Sequence, residues 1–208
     1  MRELLQENPK PFVLQIGAND GIRADPVYSF ITGLGLPALL VEPHPNVFGK
    51  LKFNYATFPN ATLVNLAIAK TPGAITLYAP HEDSLQLNPK LSGLCSLNSE
   101  QLRKSLQMMQ VPSAVQEIEV PSETVEGLLR KYQIESIDVL QIDAEGYDWQ
   151  ILQQFDLKRM GINLINFEFF NLNDNEKSEV IRFLASHDYE MTQVLGDVVA
   201  RRKQSGNS

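Results

Sequence analysis

A single cysteine, Cys95, stands among the 208 residues, which excludes an internal disulfide framework and a cysteine-based zinc cage. The lone thiol fits a reducing compartment. Basic residues are scarce: 18 Lys and Arg against 25 Asp and Glu leave a net charge of −7, and the only basic cluster is Arg201-Arg202-Lys203 beside a polar tail. That balance argues against nucleic acid or an anionic membrane surface as the primary partner. No run of about 18 apolar residues occurs, so no membrane-spanning helix is expected. The stretch Met1 to Pro9 carries acids and lacks the apolar core of a secretion signal. The expected setting is the cytoplasm.

A chain of this length suits one domain and should bury roughly 70% of its unfolded surface. The core is expected over about 12–200, with no internal repeat and no linker. Its most telling stretch is Val13-Leu14-Gln15-Ile16-Gly17-Ala18-Asn19-Asp20-Gly21, where an apolar run breaks into a glycine-bearing turn. Twenty-five residues beyond Gly17, the run Leu39-Leu40-Val41 ends in Glu42. A third run, Ile137 to Ile142, ends in Asp143-Ala144-Glu145-Gly146. Strands that each deliver a polar residue at the carboxyl end describe an open α/β sheet with its ligand crevice above those ends.

Between these runs the spacing predicts alternating elements. Strands are expected at 12–17, 38–42, 62–69, 74–78, 117–120, 137–142 and 162–169, with a closing hairpin at 189–201. The strands at 62–69 and 74–78 are expected to be neighbours. Helices are expected from Asp25-Pro26 to Leu34, then at 46–56, 99–109, 147–156 and 175–186. Ser122 is expected to cap a further helix bearing Val125, Leu128, Leu129 and Tyr132 on one face. The segment 80–98 is rich in Ser, Asn, Pro and Gly, is long for a plain connection, and reads as a lid or substrate loop. Alternation of this kind gives an α/β sandwich with a mostly parallel sheet.

Turns between parallel strands and helices offer free amide groups and a positive dipole end to a polar ligand. The pattern here is Gly17-x-Asn19-x-Gly21, not the GxGxxG of dinucleotide folds. Two readings stand: a cofactor turn, or a tight turn in which Asn19 and Asp20 tolerate left-handed angles. Glu42 favours the first. An acid closing a buried strand needs partners, and ribose hydroxyls would supply them, although a solvated strand-end acid is the alternative.

With these residues in place, the sequence resembles the FkbM family of S-adenosylmethionine-dependent methyltransferases, over about Phe12 to Ala200. The marks are Ile16 to Gly21, Val41-Glu42-Pro43, Asn65-Leu66-Ala67-Ile68, Cys95-Ser96-Leu97, Val120 to Leu129 and Gln141-Ile142-Asp143-Ala144-Glu145-Gly146-Tyr147-Asp148. The resemblance implies a class I, Rossmann-like sheet of seven strands, six parallel and the last antiparallel. It implies that Gly17, Asn19 and Gly21 line the methionine part of the donor, that Glu42 binds its ribose, and that Asn65 and Ala67 lie near the adenine. Ser96 would touch adenine or substrate. Where Gln15 stands the family usually has an acid, and Asp20 is expected to compensate. The implied reaction moves a methyl group to a hydroxyl of a sugar, glycan or small secondary metabolite.

Transfer to an alcohol needs an aligned oxygen and a group that takes its proton. Asp143 and Glu168 close neighbouring strands, so either is a candidate base, or the two together hold a divalent cation through hard oxygen ligands. Glu145 is either a third ligand or, as preferred here, a cap for the helix that follows. His81 is the histidine to test as a base; His44 and His187 have plainer readings beside the adenosine and at a helix end. A nicotinamide-dependent oxidoreductase also explains Glu42, but it predicts a fuller glycine motif and a Tyr-x-x-x-Lys pair, which are missing. A methyltransferase-like binding module without turnover is the third alternative.

Overall fold

The computed structural model describes residues 2–88, 91–111 and 114–203. Along the chain come α1 (Arg2–Glu7), β1 (Val13–Ile16), α2 (Tyr28–Leu34), β2 (Ala38–Val41), α3 (Pro45–Asn54), β3 (Ala61–Val64), β4 (Ala67–Ile68) and β5 (Gly73–Pro80). Then follow α4 (Glu82–Leu87), α5 (Ser99–Met108), β6 (Val115–Glu123), α6 (Val125–Lys131) and β7 (Val139–Ile142). The last elements are α7 (Asp148–Leu152), α8 (Leu157–Met160), β8 (Leu164–Glu168), α9 (Asp174–Ser186), β9 (Tyr189–Val194) and β10 (Asp197–Arg202).

Seven strands build the main sheet in the order β3-β2-β1-β7-β8-β10-β9. β1, β2, β3, β7 and β8 run parallel, and β10 lies antiparallel between β8 and β9. Six strands thus share one direction and the last opposes them, as the resemblance implied. Every residue of β1, β2 and β7 is buried, because helices cover both faces. One layer packs Val27, the N-cap of α2, with Ile31 of α2 and Leu51 of α3 against Val13, Leu40 and Val139. The opposite layer packs α6, α7 and α9 through Leu128, Trp149 and Val180 against Leu14, Leu140 and Phe167.

The strand order reverses beside β1, so the turns after β1 and β7 diverge to opposite sides of the sheet and open a crevice between them. Asp25 helps start α2, though the helix begins later than its sequence suggests. Its Oδ1 accepts from the amides of Val27 and Tyr28 at 2.8 and 3.0 Å, so it does the work of a cap from outside the helix.

Four expectations are corrected. The strand expected at 62–69 is two strands, because Pro43 cannot continue the ladder of β2 and Asn65 turns its amide onto the carbonyls of Glu42 and Pro43, at 2.7 and 3.0 Å. β4 therefore leaves the main sheet and joins a second sheet of order β4-β6-β5. The segments expected to be neighbours are thus separated by β6. The cap of α6 is Thr124, whose Oγ1 accepts from Gly127 at 3.0 Å; Ser122 lies in β6 and donates to the carbonyl of Thr71. The helix expected at 147–156 ends at Leu152, and α8 restarts after Asp156, which accepts from the Arg159 amide.

Leu140 sits on the central strand with no exposed surface. Leu140→Ala should lower the free energy of unfolding by about 2–5 kcal/mol, measured by urea denaturation, since a cavity there has little freedom to collapse.

Candidate functional site

A cavity opens in the carboxyl-end crevice, bordered by the ends of β1, β2 and β7 and by residues of the second sheet. Its floor is Gly17. A Cβ there would lie 1.7 Å from the Asp143 carbonyl oxygen, and φ is +81°, so only glycine fits. Around it the strand ends are stitched together: the amides of Gly17 and Ala18 both donate to the Val41 carbonyl, and the Asp143 amide donates to that of Ile16.

One wall is polar, formed by Asn19, Glu42, Ser96, Asp143 and Glu145. The other is apolar, formed by Leu66, Ile68, Leu77, Leu97 and Ile151, where the main core meets the second sheet. Glu42 is 3% exposed, and its two oxygens accept from the backbone amides of Asn19 and His44 at 2.9 and 2.8 Å. Burial outweighs those bonds and pushes its carboxyl up to about 7. Asp143 is exposed to the cleft. Restricted hydration there, followed by the charges of Glu168, Asp197 and Asp25, raises its carboxyl to about 7 as well.

Not every candidate reaches the cavity. Gly17, Asn19, Glu42, Ala67, Ser96 and Asp143 line it. Asp20 lies outside the lining, its Oδ1 accepting from the amides of Ile22 and Arg23 in a local turn. Gly21 also lies outside, where a Cβ would collide with Leu51 and Tyr55 of the α3 region. Asn65 is occupied with the carbonyls after β2. Glu168 stands beside the cavity and accepts from Asn171 at 2.8 Å. Gln15 faces away from this lining and donates to Asp25 at 3.1 Å.

Glu145 does not cap α7, which corrects the preferred expectation: the N-cap is Tyr147, with no side-chain bond. Glu145 instead accepts from Asn171 at 3.2 Å, while its carbonyl accepts from the Ser96 hydroxyl at 2.9 Å. None of the three histidines lines the cavity. His81 caps α4, and His187 stacks on Phe183 at 4.5 Å. Among the described residues no group of three or more His, Cys, Asp or Glu is placed to hold a metal ion.

Sequence reasoning missed Asp148 as more than a motif residue. It has no exposed surface, and its two oxygens accept from the amides of Ala144 and Glu168 at 3.3 and 3.2 Å. It ties the end of β7 to the end of β8, and burial holds its carboxyl well above the usual range. Asp25 and Asp197 were missed as neighbours of Asp143, because nothing local to either signals that packing.

The site is rich in carboxylates, and among the described residues none of them forms an ion pair with Lys or Arg. A pocket of this kind disfavours a pyrophosphate and suits a cationic ligand with a planar apolar part. Adenosyl sulfonium has that chemistry, so the donor set and the Gly17 cradle fit S-adenosylmethionine.

The fold is that of class I methyltransferases. It matches the FkbM methyltransferase from Methylobacillus flagellatus KT with a TM-score of 0.56 at 9% identity, covering 92% of this chain and 43% of that one. This chain therefore spans less than half of that protein. It also matches a putative caffeoyl-CoA O-methyltransferase from Staphylococcus aureus, with a TM-score of 0.51 at 10% identity, over 97% of this chain and 80% of that one. No curated protein matches. The methyltransferase FkbM domain model matches residues 15–191, and the chain belongs to that family, whose methyl donor is S-adenosylmethionine.

Raised carboxyl pKa values carry a sign. Glu42 ionises less readily folded, near 7, than at its ordinary 4.5, so the stability its protonated form contributes is complete below 4.5 and lost as pH rises towards 7. Ligand-free protein should lose stability over that window, Glu42 contributing on the order of 3 kcal/mol. Glu42→Gln should flatten the slope in denaturation curves recorded from pH 4.5 to 7.

Proposed function

We propose that this protein is an S-adenosylmethionine-dependent O-methyltransferase acting on a hydroxyl of a sugar, glycan or small secondary metabolite. The observation that carries the reading is the placing of Glu42 and Asp143 on one cavity, joined through Gly17 at its floor. Glu42 would hold the ribose hydroxyls, with Asn19 beside it. Ala67 and Ser96 would border the adenine along the apolar wall. Asp20, Gly21 and Asn65 support the same turn and strand end from outside the cavity.

Bound there, S-adenosylmethionine supplies a methyl group activated by a positive sulfur. The chain's own part is to orient the acceptor hydroxyl and take its proton. Asp143 is the group at the cavity, and a carboxyl near 7 is matched to accepting a proton at neutral pH. Glu168 is the second carboxylate and sustains that shift. Asp143 and Glu168 are the residues that would hold a divalent cation, which would supply Lewis-acid activation of the acceptor hydroxyl, and chelator treatment during turnover separates that route from proton transfer to a carboxylate.

The segment 80–98, of which residues 89 and 90 lie outside those described, would serve as a lid or substrate loop. Its Ser92 is held by Lys50 at 2.7 Å and by Arg23 at 3.3 Å, and Gly93 passes so near the Asn19 side chain that a Cβ there would collide with it. The chain would work as one domain, in the cytoplasm, on a small acceptor; the net charge of −7 disfavours nucleic acid. No described helix is long and apolar enough to cross a membrane.

Isothermal titration with S-adenosylhomocysteine should show binding, and Glu42→Ala should weaken it by about 1–3 kcal/mol. A metabolite extract incubated with labelled donor will reveal the acceptor. On that acceptor Asp143→Asn should retain donor affinity and lose about 10²–10⁴ in rate. Absence of heat at millimolar ligand removes the donor site, and full-rate transfer by Asp143→Asn removes the assigned base.

A further inference from the structure

The turns after β1 and β7 diverge, and one short stretch of chain bridges them. Residues 91–97 form an arch whose Gly93, Cys95, Ser96 and Leu97 line the cavity that Glu42 and Asp143 share. Its two feet are buried. Leu91 has no exposed surface and packs with Leu102 and Leu106 of α5, and Ser96 exchanges backbone hydrogen bonds with Tyr78 of β5 at 2.9 and 3.0 Å. Cys95 and Leu97 lean on the second sheet beside Ile75 and Ile118. The Ser96 hydroxyl also donates to the Glu145 carbonyl in the β7 turn, at 2.9 Å.

Between the feet, two cations hold the arch from outside the cavity. Lys50 of α3 donates from Nζ to the Ser92 hydroxyl at 2.7 Å, and Arg23, in the turn after β1, donates to the Ser92 carbonyl at 3.3 Å. Both cations are exposed, and neither lines the cavity. Single bonds of this kind are weak in water and break readily, whereas the buried feet do not. The arch thus has fixed ends and a releasable middle. Its underside meets the polar wall: Gly93 has a φ of +92° and passes so near Asn19 that a Cβ would strike the side-chain amide. Asn19 is itself left-handed, with a φ of +50°, and its backbone amide donates to Glu42 at 2.9 Å. Arch, Asn19 and Glu42 are therefore one contiguous stack, and α3, which carries Lys50, begins just beyond Glu42.

We propose that the arch is a clasp governing how fast the methyl donor enters and its spent form, S-adenosylhomocysteine, leaves, with Lys50 and Arg23 as the positioning residues that hold it down. The proposal deepens the methyltransferase reading and rests on S-adenosylmethionine occupying the Glu42–Asp143 cavity. A guest lying between those two acids has the arch across it, so it passes when Ser92 comes off Lys50 and Arg23. The fasteners touch the arch and not the guest. Loosening them therefore eases entry and exit alike, whereas losing a residue that touches the guest weakens affinity mainly through exit. Product release limits turnover in many enzymes with lids, and here two surface cations would set its rate, apart from the acids of the cavity.

Surface plasmon resonance of S-adenosylhomocysteine over the immobilised protein reads both rates. Lys50→Met should speed association and dissociation together by about two- to tenfold, leaving their ratio within about twofold of wild type, and Lys50→Arg should restore both. Arg23→Met should behave as Lys50→Met does. Ser92→Asp places a carboxylate between the two cations; it should slow both rates at low salt and lose that effect at about 1 M salt, where screening reaches contact distance. Opposite effects from substitutions on one fastener cannot come from general damage to the fold, and an unchanged equilibrium affinity shows that the variants fold. Wild-type rates in Lys50→Met, Arg23→Met and Ser92→Asp overturn the proposal and leave the donor site standing. Faster dissociation with unaltered association does so too, since it assigns Lys50 to affinity and not to passage. A wild-type chain that binds no S-adenosylhomocysteine overturns the donor reading, and the clasp with it.

Discussion

The passage of Gly17 against the carbonyl of Asp143 is the constraint on which the rest depends. A side chain at Gly17 would collide with backbone that has no room to move, so β1 and β7 would splay at their carboxyl ends. With glycine there, two turns that begin on different strands share one floor. The polar wall of the cavity, from Asn19 and Glu42 to Asp143 and Glu145, follows from that approach. Asp148 secures the far side by bonding the amides of Ala144 and Glu168, so that Asp143 and Glu168 stay within each other's field.

Burial acts on these acids in one direction. Glu42, Glu145, Asp148 and Glu168 bind protons more tightly than free carboxylates because water is removed from them and no described cation replaces it; Asp143, open to the cleft, does so through restricted hydration and the neighbouring carboxylates. Ionising these carboxyls is therefore costly to the fold, a pattern typical of places where binding is the purpose. It also explains why dinucleotide chemistry fits poorly here although the sheet is of the same general kind: phosphates would meet acids at every step.

Much of the main sheet was legible because its strands are short apolar runs, buried on both faces and ended by glycine or an acid. Glu42 and Asp143 could be read for the same reason, as polar residues ending runs such as Leu39-Leu40-Val41. The second sheet was not legible in this way. β6 lies between β4 and β5, and nothing local to Ala67-Ile68 announces a partner more than fifty residues on at Ser122-Glu123. Asp20, Gly21 and Asn65 carry signals that look like ligand contacts but are absorbed by the backbone and by Tyr55, since short polar side chains at turns bond to whatever carbonyl or amide is nearest. The company of Asp25 and Asp197 depends on where α2 and the hairpin come to rest, and only the folded chain shows that.

Glu42 has one more consequence, for heat and acidity. At neutral pH a carboxyl near 7 is protonated part of the time. A positively charged donor held as proposed would expel that proton into the medium, so its binding would be an exchange of one cation for another. The enthalpy of binding would then depend on the buffer that receives the proton, and acidification of the surroundings alone would weaken it.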